Sequence, residues 1–234
     1  MAGGGHPDAS RMVGGGHPDA SRMVGGDHPD ASMMVGGGHP DASMMAGGGH
    51  PALMRKRYDG SVNFYRNYSE YVQGFGDVSG EYWLGLDIIH LLSKGGVELR
   101  VDMVDYGNIQ LYAHYGQFSI GSPITKYDYI QANLFITCPS FQCSYQLDFA
   151  SYSGNAGEAL YIGKNRGFST YDMDNDNSNS NCAIVYRGAW WYGDCYSSNL
   201  NGVYGIYEVP GIAWNYMYES IFMKSTEMKL RESS

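Results

Sequence analysis

No two cysteines in this sequence stand two residues apart. The four, at 138, 143, 182 and 195, therefore give little support to a zinc ribbon or a thioredoxin-type redox pair. Nor does any stretch approach ~20 consecutive apolar residues, which excludes a transmembrane helix. The opening residues, MAGGGHPDAS, hold no apolar run that would serve as a secretory leader. Cations are scarce: 15 Lys plus Arg stand against 24 Asp plus Glu, a formal net charge of −9. Phosphate binding needs a basic face, so nucleic acid is not an expected partner. The one basic run, Arg55-Lys56-Arg57, reads as a solvated loop. Enzyme signatures are missing as well. There is no GxSxG, HExxH or GxxxxGKS/T, and GGGHPDAS lacks the strand-turn-helix setting that a nucleotide loop needs.

What is present is aromatic and glycine-rich: 21 Tyr and 33 Gly, a texture of sheet and loop more than of helix. The even cysteine count fits two disulfides in an oxidising compartment, and four buried thiols would give the same count. The cysteines outweigh the missing leader, so an extracellular protein is expected whose natural N-terminus differs from this one.

Residues 1–54 are a repeat, GGGHPDASRMV and variants, with histidines at 6, 17, 28, 39 and 50, a strict period of 11. Such a period nearly preserves a helix face, but each unit carries a glycine cluster and a proline, so a helix is not expected. Glycine at every third position, as collagen needs, is absent. The spacing brings no two histidines together as a metal site. The segment reads as a disordered tail, and its near-identical units as recent duplication or a gene-assembly error.

From Tyr58 the texture becomes globular. A short helix is expected near Ser69–Gln73, closed by Gly74, and another over LDIIHLLSKGG with Asp87 as N-cap and Gly95 past its end. Asn67-Tyr68-Ser69 is an N-glycosylation sequon if the chain is secreted. Val97, Leu99, Val101 and Met103 alternate with Glu98, Arg100 and Asp102, the period of a half-buried strand. NIQLYAHYGQFSI looks like a strand pair, and His90 like a packed or surface histidine. Residues 127–144 are apolar and hold Cys138 and Cys143, whose pairing would close a small loop. YQLDFASYSG gives a further strand, and one or two strands close the chain after a Pro/Gly loop. The fold class is α+β, with more strand than helix.

The densest chemistry lies between Phe168 and Gly202. Asp172, Asp174 and Asp176 alternate and run into Asn177, Ser178, Asn179, Ser180 and Asn181. Hard oxygens on a turn-prone loop suit Ca²⁺, which takes 6–8 of them at roughly 2.4 Å. A solvated acidic turn would look the same. An EF-hand is excluded, because counting from Asp172 its glycine position holds Asn177 and its closing glutamate position Ala183. Cys182 and Cys195 flank YRGAWWYGD, aromatic enough to fill a core or line a pocket.

The run Trp190-Trp191-Tyr192-Gly193-Asp194-Cys195-Tyr196-Ser197-Ser198-Asn199-Leu200-Asn201-Gly202 resembles the signature of the fibrinogen C-terminal domain family, which includes ficolins and tachylectins. Further matches are Asp59-Gly60-Ser61-Val62, Gly74-Phe75-Gly76, Glu81-Tyr82-Trp83-Leu84-Gly85, Glu98-Leu99-Arg100-Val101-Asp102, Tyr152-Ser153-Gly154-Asn155-Ala156-Gly157, Phe168-Ser169-Thr170 and Glu227-Met228-Lys229. The resemblance covers most of residues 58–231. It implies a fibrinogen C-terminal-like globular domain over 58–234, mostly antiparallel sheet with short helices and long loops. It also implies one Ca²⁺, held by the carboxylates of Asp174 and Asp176 and the carbonyls of Ser178 and Ser180, with Asp172 a near neighbour. By the same resemblance the disulfide is Cys182–Cys195, the peptide Asp194-Cys195 is cis, and an adjacent pocket receives acetyl groups. Its expected lining is Tyr186, the Asp194–Cys195 peptide, Tyr196 where histidine is common, and Tyr207 opposite, or Glu208 in its place. Two departures stand out. The repeats occupy the place of the family's N-terminal subdomain, and residues 127–144 read as an insertion.

The reading that follows is a secreted, non-enzymatic, calcium-dependent module for acetylated glycans in innate defence. The alternatives are a protein-binding or structural domain on the same fold, and a gene fragment without function. The family's collagen and coiled-coil stalks are absent, which leaves the oligomeric state open.

Overall fold

The computed structural model describes residues 51–123, 144–216 and 219–233. They fall within one compact unit. Residues 1–50 of the repeat tail, and the expected 127–144 insertion up to and including Cys143, lie outside the described residues, Cys138 among them.

Ten strands run in one sheet system: β1 (Ala52–Arg57), β2 (Phe75–Gly76), β3 (Tyr82–Trp83), β4 (Val97–Asp105), β5 (Gln110–Ile120), β6 (Leu147–Asp148), β7 (Ser151–Gly154), β8 (Ser198–Asn199), β9 (Ala213–Tyr216) and β10 (Glu219–Arg231). The order across it is β2-β3-β1-β10-β4-β5-β6. β7 pairs β5, β9 pairs β10, and β8 pairs β9. Every pairing is antiparallel. Among the described residues, three short helices, α1 (Tyr68–Gln73), α2 (Leu86–Leu92) and α3 (Cys182–Val185), and a 3₁₀ turn at Tyr161–Gly163 accompany it. The fold is α+β with strand in excess, as the sequence led us to expect.

β4 has the expected alternation: Val97, Leu99, Val101 and Met103 are buried, while Glu98, Arg100 and Asp102 face outward. The predicted strand pair over 108–120 is a single strand of 11 residues. Positive φ at Asn108 and Gln117 marks its two irregular points, and only the first is a chain reversal. At the second the register with β4 slips between Val97 and Leu99, so the chain kinks without turning back.

The domain begins earlier than residue 58. β1 is an interior strand between β3 and β10, and the supposed basic loop is its second half. A bulge against β10 between Leu53 and Arg55 turns Met54 and Arg55, consecutive residues, both into the interior. Arg55 is completely buried and Arg57 is 2% exposed. Their partners explain how the interior tolerates them. Arg55 donates from Nε to Asn201 Oδ1 at 2.7 Å, from Nη1 to Thr226 Oγ1 at 2.5 Å and from Nη2 to the Leu200 carbonyl. Arg57 stacks 4.0 Å above the Phe64 ring, and its Nε lies 3.5 Å from Glu81 Oε2. Glu81, also fully buried, accepts the backbone N–H groups of Tyr58, Asp59 and Gly60 on one oxygen and of Val62 on the other. A buried charge survives when it is paired and its polar atoms are engaged, which holds for Arg55 and Glu81, while Arg57 donates from Nη1 to the Gly202 carbonyl at 3.2 Å and leaves its Nε without a hydrogen bond.

α1 forms where expected and starts one residue earlier, at Tyr68. Asn67 caps it, accepting from Glu70 N, while the Glu70 carboxylate accepts from Asn67 N in a capping box. α2 starts before the predicted cap. The chain turns at Gly85 (φ 105), where a Cβ would lie 2.8 Å from the Gln73 carbonyl. Leu86 is thereby placed at full burial, and Asp87, inside the first turn, accepts a hydrogen bond from the Tyr145 hydroxyl instead of capping. His90 is a packed histidine, its Nδ1 2.8 Å from the Ile120 carbonyl.

The aromatic residues knit the helices to the central stretch. Phe168 packs against Tyr71, Trp83 and Trp191 at centroid distances of 5.0, 5.7 and 5.0 Å. Trp190 and Trp191 are both buried, each with its indole N–H satisfied, on Ser198 Oγ and the Tyr145 carbonyl. They are core, and the exposed chemistry lies around them.

Candidate functional site

The acidic loop is built by alternation. Between the outward Asp174 and Asp176, Asn175 points inward, 5% exposed, donating from Nδ2 to the Phe168 carbonyl at 2.7 Å and from its backbone N–H to Ser169 Oγ at 2.9 Å. Asn175 was not singled out from the sequence. Its signal was there in the period of two, which sends every second residue of the Asp run the other way.

From that anchor the two carboxylates turn back on the loop. Asp174 Oδ1 accepts Asp176 N–H at 3.2 Å. Asp176 Oδ1 accepts Ser178 N–H at 2.9 Å, and its Oδ2 accepts Cys182 N–H at 2.8 Å. Burial pushes the Asp176 carboxyl above the usual aspartate range, and the nearby Asp174 carboxylate pushes it further against the pull of those two N–H groups. Among the described residues neither the Ser178 nor the Ser180 carbonyl accepts a hydrogen bond. Two close carboxylates and two uncommitted carbonyls match the donor chemistry of a hard cation. No group of three or more His, Cys, Asp or Glu gathers among the described residues, so a cation here would rely on backbone oxygens to fill its shell. Asp172 is engaged elsewhere: its Oδ1 accepts Tyr68 N–H at 3.0 Å and the Thr170 hydroxyl at 2.7 Å, tying the loop to the start of α1.

The loop closes on the disulfide. Cys182 and Cys195 are bonded, with Cα atoms 5.6 Å apart, and the peptide Asp194-Cys195 is cis. Asn177 N–H donates to the Gly193 carbonyl at 3.0 Å and Gly193 N–H to the Cys195 carbonyl at 2.8 Å. The acidic loop and the cis-peptide segment therefore share one hydrogen-bonded frame. Asn181 caps α3, accepting from Ile184 N–H, and donates to the Thr170 carbonyl at 3.1 Å.

Beside that frame Tyr186 and Tyr196 stand edge to face, centroids 4.8 Å apart with rings at 89°. Burial, then Tyr186, pushes the Tyr196 hydroxyl up to about 12, so it is a neutral donor at physiological pH. Asp194 is exposed at the rim. Tyr207, expected opposite Tyr186, stacks instead on Tyr106 at 4.0 Å, 66% exposed. Among the described residues no ring contact joins that pair to Tyr186 or Tyr196. The loop around Tyr207 is short, with Val209-Pro210 cis, and it lies against the β4–β5 turn that carries Tyr106. Glu208 is exposed in the same loop.

Residues 41–233 match the family model described as the C-terminal globular domain of fibrinogen beta and gamma chains. Mouse Fibrinogen C domain-containing protein 1 is 41% identical over 189 residues, 77% of this chain and 38% of that protein. Ryncolin-4 of Cerberus rynchops is 39% identical over 191 residues, 76% of this chain and 49% of its own length. Human Ficolin-3 is 40% identical over 168 residues, 69% of this chain and 50% of its own length. The chain thus spans half or less of these curated relatives. Among solved structures, the fibrinogen-like globe domain of human ANGPTL6 superposes with a TM-score of 0.66 at 34% identity, covering 79% of this chain and 78% of that one. A lamprey fibrin D-dimer complexed with the peptide ligand Gly-His-Arg-Pro-amide does so at 0.63 and 29%, covering 80% and 63%.

Proposed function

This chain belongs to the fibrinogen C-terminal domain family, and from that premise we propose that it is an extracellular recognition module. In this reading it binds acetylated glycans in a calcium-dependent way and acts by binding, without catalysis. Asp174 and Asp176 would hold Ca²⁺ with the carbonyls of Ser178 and Ser180. The ion's role there is electrostatic and organisational: it would offset the mutual repulsion of the two carboxylates. Beside it, Tyr186 and Tyr196 offer apolar ring edges for a methyl group, and the backbone around Asp194 and Cys195 offers polar groups for an acetyl oxygen and amide. The likeness to ficolin-3 and ryncolin-4 supports a lectin-like role and, with it, secretion and defence. One observation carries the proposal. The Asp176 carboxylate reaches the Cys182 N–H at 2.8 Å, so whatever neutralises Asp176 acts directly on the segment that supports the tyrosine pair.

The test uses the full chain: calorimetric Ca²⁺ titration, and retention on an N-acetylated resin with and without chelator. One calcium site, lost in Asp174→Ala, and retention abolished by chelator are the expected results. Retention indifferent to chelator removes the calcium claim, and no retention removes the lectin claim. A second reading, capture of a peptide terminus, draws on the position of Tyr207. With the Tyr207 ring on Tyr106, the surface at Tyr186 keeps Tyr196 as its ring partner and lacks the second aromatic wall expected for an acetyl pocket. Titration with Gly-His-Arg-Pro-amide, the peptide bound by the lamprey relative, separates the two readings.

A further inference from the structure

Tyr186 is held by its own helix on the donor side only. α3 ends at Val185, Tyr186 N–H donates to the Cys182 carbonyl at 2.9 Å, and the chain then reverses through Arg187, Gly188 and Ala189, with Gly188 N–H on the Ala183 carbonyl at 3.3 Å and Arg187 in the left-handed region at φ 47. A non-glycine residue in that region persists when its surroundings hold it there. On the carbonyl side the hold comes from two asparagines two positions apart, Asn199 and Asn201, both essentially fully buried. Asn199 donates from Nδ2 to the Tyr186 carbonyl at 3.4 Å, and Asn201 donates from Nδ2 to the Ala189 carbonyl at 3.0 Å. Asn199 reaches the reversal from the end of β8 and Asn201 from the turn that follows, closed by Gly202 N–H on the Asn199 carbonyl at 3.1 Å, so the two amides meet it one at each end.

Each amide is itself oriented from behind. The Tyr192 hydroxyl donates to Asn199 Oδ1 at 2.7 Å, and Arg55 Nε donates to Asn201 Oδ1 at 2.7 Å. Each carbonyl oxygen is thus engaged by a donor, which fixes the amide rotamer and leaves the –NH₂ facing the reversal. Space is reserved as well. A Cβ at Gly188 would come within 2.7 Å of both Asn199 Oδ1 and the Tyr192 hydroxyl, and one at Gly202 within 2.8 Å of Asn199 Nδ2. The line of contact runs from β1 through Arg55 and Asn201, and from the core through Tyr192 and Asn199, to the ends of one four-residue turn.

We propose that Asn199 and Asn201 are positioning residues of the recognition site. Their side-chain amides clamp the Tyr186–Ala189 reversal and so fix where the Tyr186 ring stands against Tyr196. The inference rests on the proposed function for its consequence in binding, but the clamp itself is a statement about one turn. Arg187 is exposed within that turn, so its peptide bond to Gly188 is a reporter independent of any ligand.

The experiment is timed trypsin digestion of the full chain with product masses read at each step. The variants are Asn199→Ser, Asn201→Ser and the gentler Tyr192→Phe, against Val101→Ala as a destabilised comparator far from the turn. The expected result is cleavage after Arg187 accelerated about tenfold or more in the asparagine variants and less in Tyr192→Phe, relative to cleavage after Lys229 of β10 in the same digest. Val101→Ala should not change that ratio. Binding to N-acetylated resin should weaken in the same order, with calcium affinity within about twofold of wild type. A ratio unchanged in the asparagine variants overturns the clamp. A loosened turn with binding intact overturns its role in positioning Tyr186. If wild type does not bind the resin, the functional reading falls, and the cleavage ratio alone decides the clamp.

Discussion

Two carboxylates in this molecule sit in low-dielectric surroundings and meet opposite fates. Glu81 is fully buried, yet its pKa lies below the usual range. Burial raises it, but the N–H groups of Gly60, Asp59 and Tyr58 and the Arg57 guanidinium outweigh that cost. Asp176 is only half-buried, yet its pKa is raised: burial pushes it up, the N–H groups of Cys182 and Ser178 do not compensate, and the like charge of Asp174 adds to the push. The first site is complete in itself. The second is deficient in positive charge. A structural carboxylate is recognised by having its partners inside the fold, and a candidate ligand-binding carboxylate by still needing one.

The comparison can be broken most directly at Glu81. Glu81→Gln keeps the shape but strands the buried Arg57 charge, and removing one partner of a buried pair costs on the order of 3–5 kcal/mol. Chemical denaturation of the full chain measures it, and a loss below about 1 kcal/mol would mean the pair is dispensable. Next in size is the disulfide that backs the acidic loop. Replacing Cys182 and Cys195 together by Ala opens a loop with a sequence separation of 13 and should cost about 3 kcal/mol in the chain-entropy account. The calcium titration of the same variant should weaken as well, since Cys182 N–H supports Asp176.

The smallest effect is the most discriminating. A carboxyl whose folded pKa is raised binds its proton more tightly when folded, so in the absence of calcium stability should fall as pH rises from below the ordinary aspartate value of 3.8 through the raised one. Glu81 should contribute in the opposite direction, its stabilisation lost as pH falls through its lowered value. Thermal melts of Asp174→Ala and wild type across acid pH, without calcium, separate the two. The variant should show a shallower loss on the alkaline side. Saturating calcium should cancel the wild-type loss, and an identical profile in both proteins would show that Asp174 and Asp176 do not interact.

Much of the fold was legible because it rests on short-range rules. The alternation of Val97 to Met103 gave β4, and Gly74 closed α1 where predicted. The resemblance gave the Cys182–Cys195 bridge and the cis peptide before Cys195. What was not legible depends on residues far apart in sequence. Arg55-Lys56-Arg57 looked like a solvated run because its partners, Glu81, Asn201 and Thr226, are distant, up to 171 positions away. Asp87 looked like a helix cap because the cost of a side chain at position 85 is set by Gln73. The sequence shows the alternating carboxylates of the acidic loop, but the inward Asn175 and the diversion of Asp172 to Tyr68 needed coordinates. The resemblance implied Tyr207 across from Tyr186, or Glu208 in its place, whereas the Tyr207 ring packs on Tyr106 of the β4–β5 turn.

The position of β10 has a consequence for how the molecule comes into being. This strand of 13 residues lies in the middle of the sheet, between β1 and β4, and is the last described element in the chain. A polypeptide emerging from the ribosome therefore presents β1 and β4 with open edges until β10 is made. Arg55 meanwhile lacks Thr226, and the sheet lacks its central seam. Assembly of this sheet waits on β10 by topology, with long-range pairings such as Ala52 with Leu230 forming late and slowly. Loss of β10 would remove the middle of the sheet and not its margin.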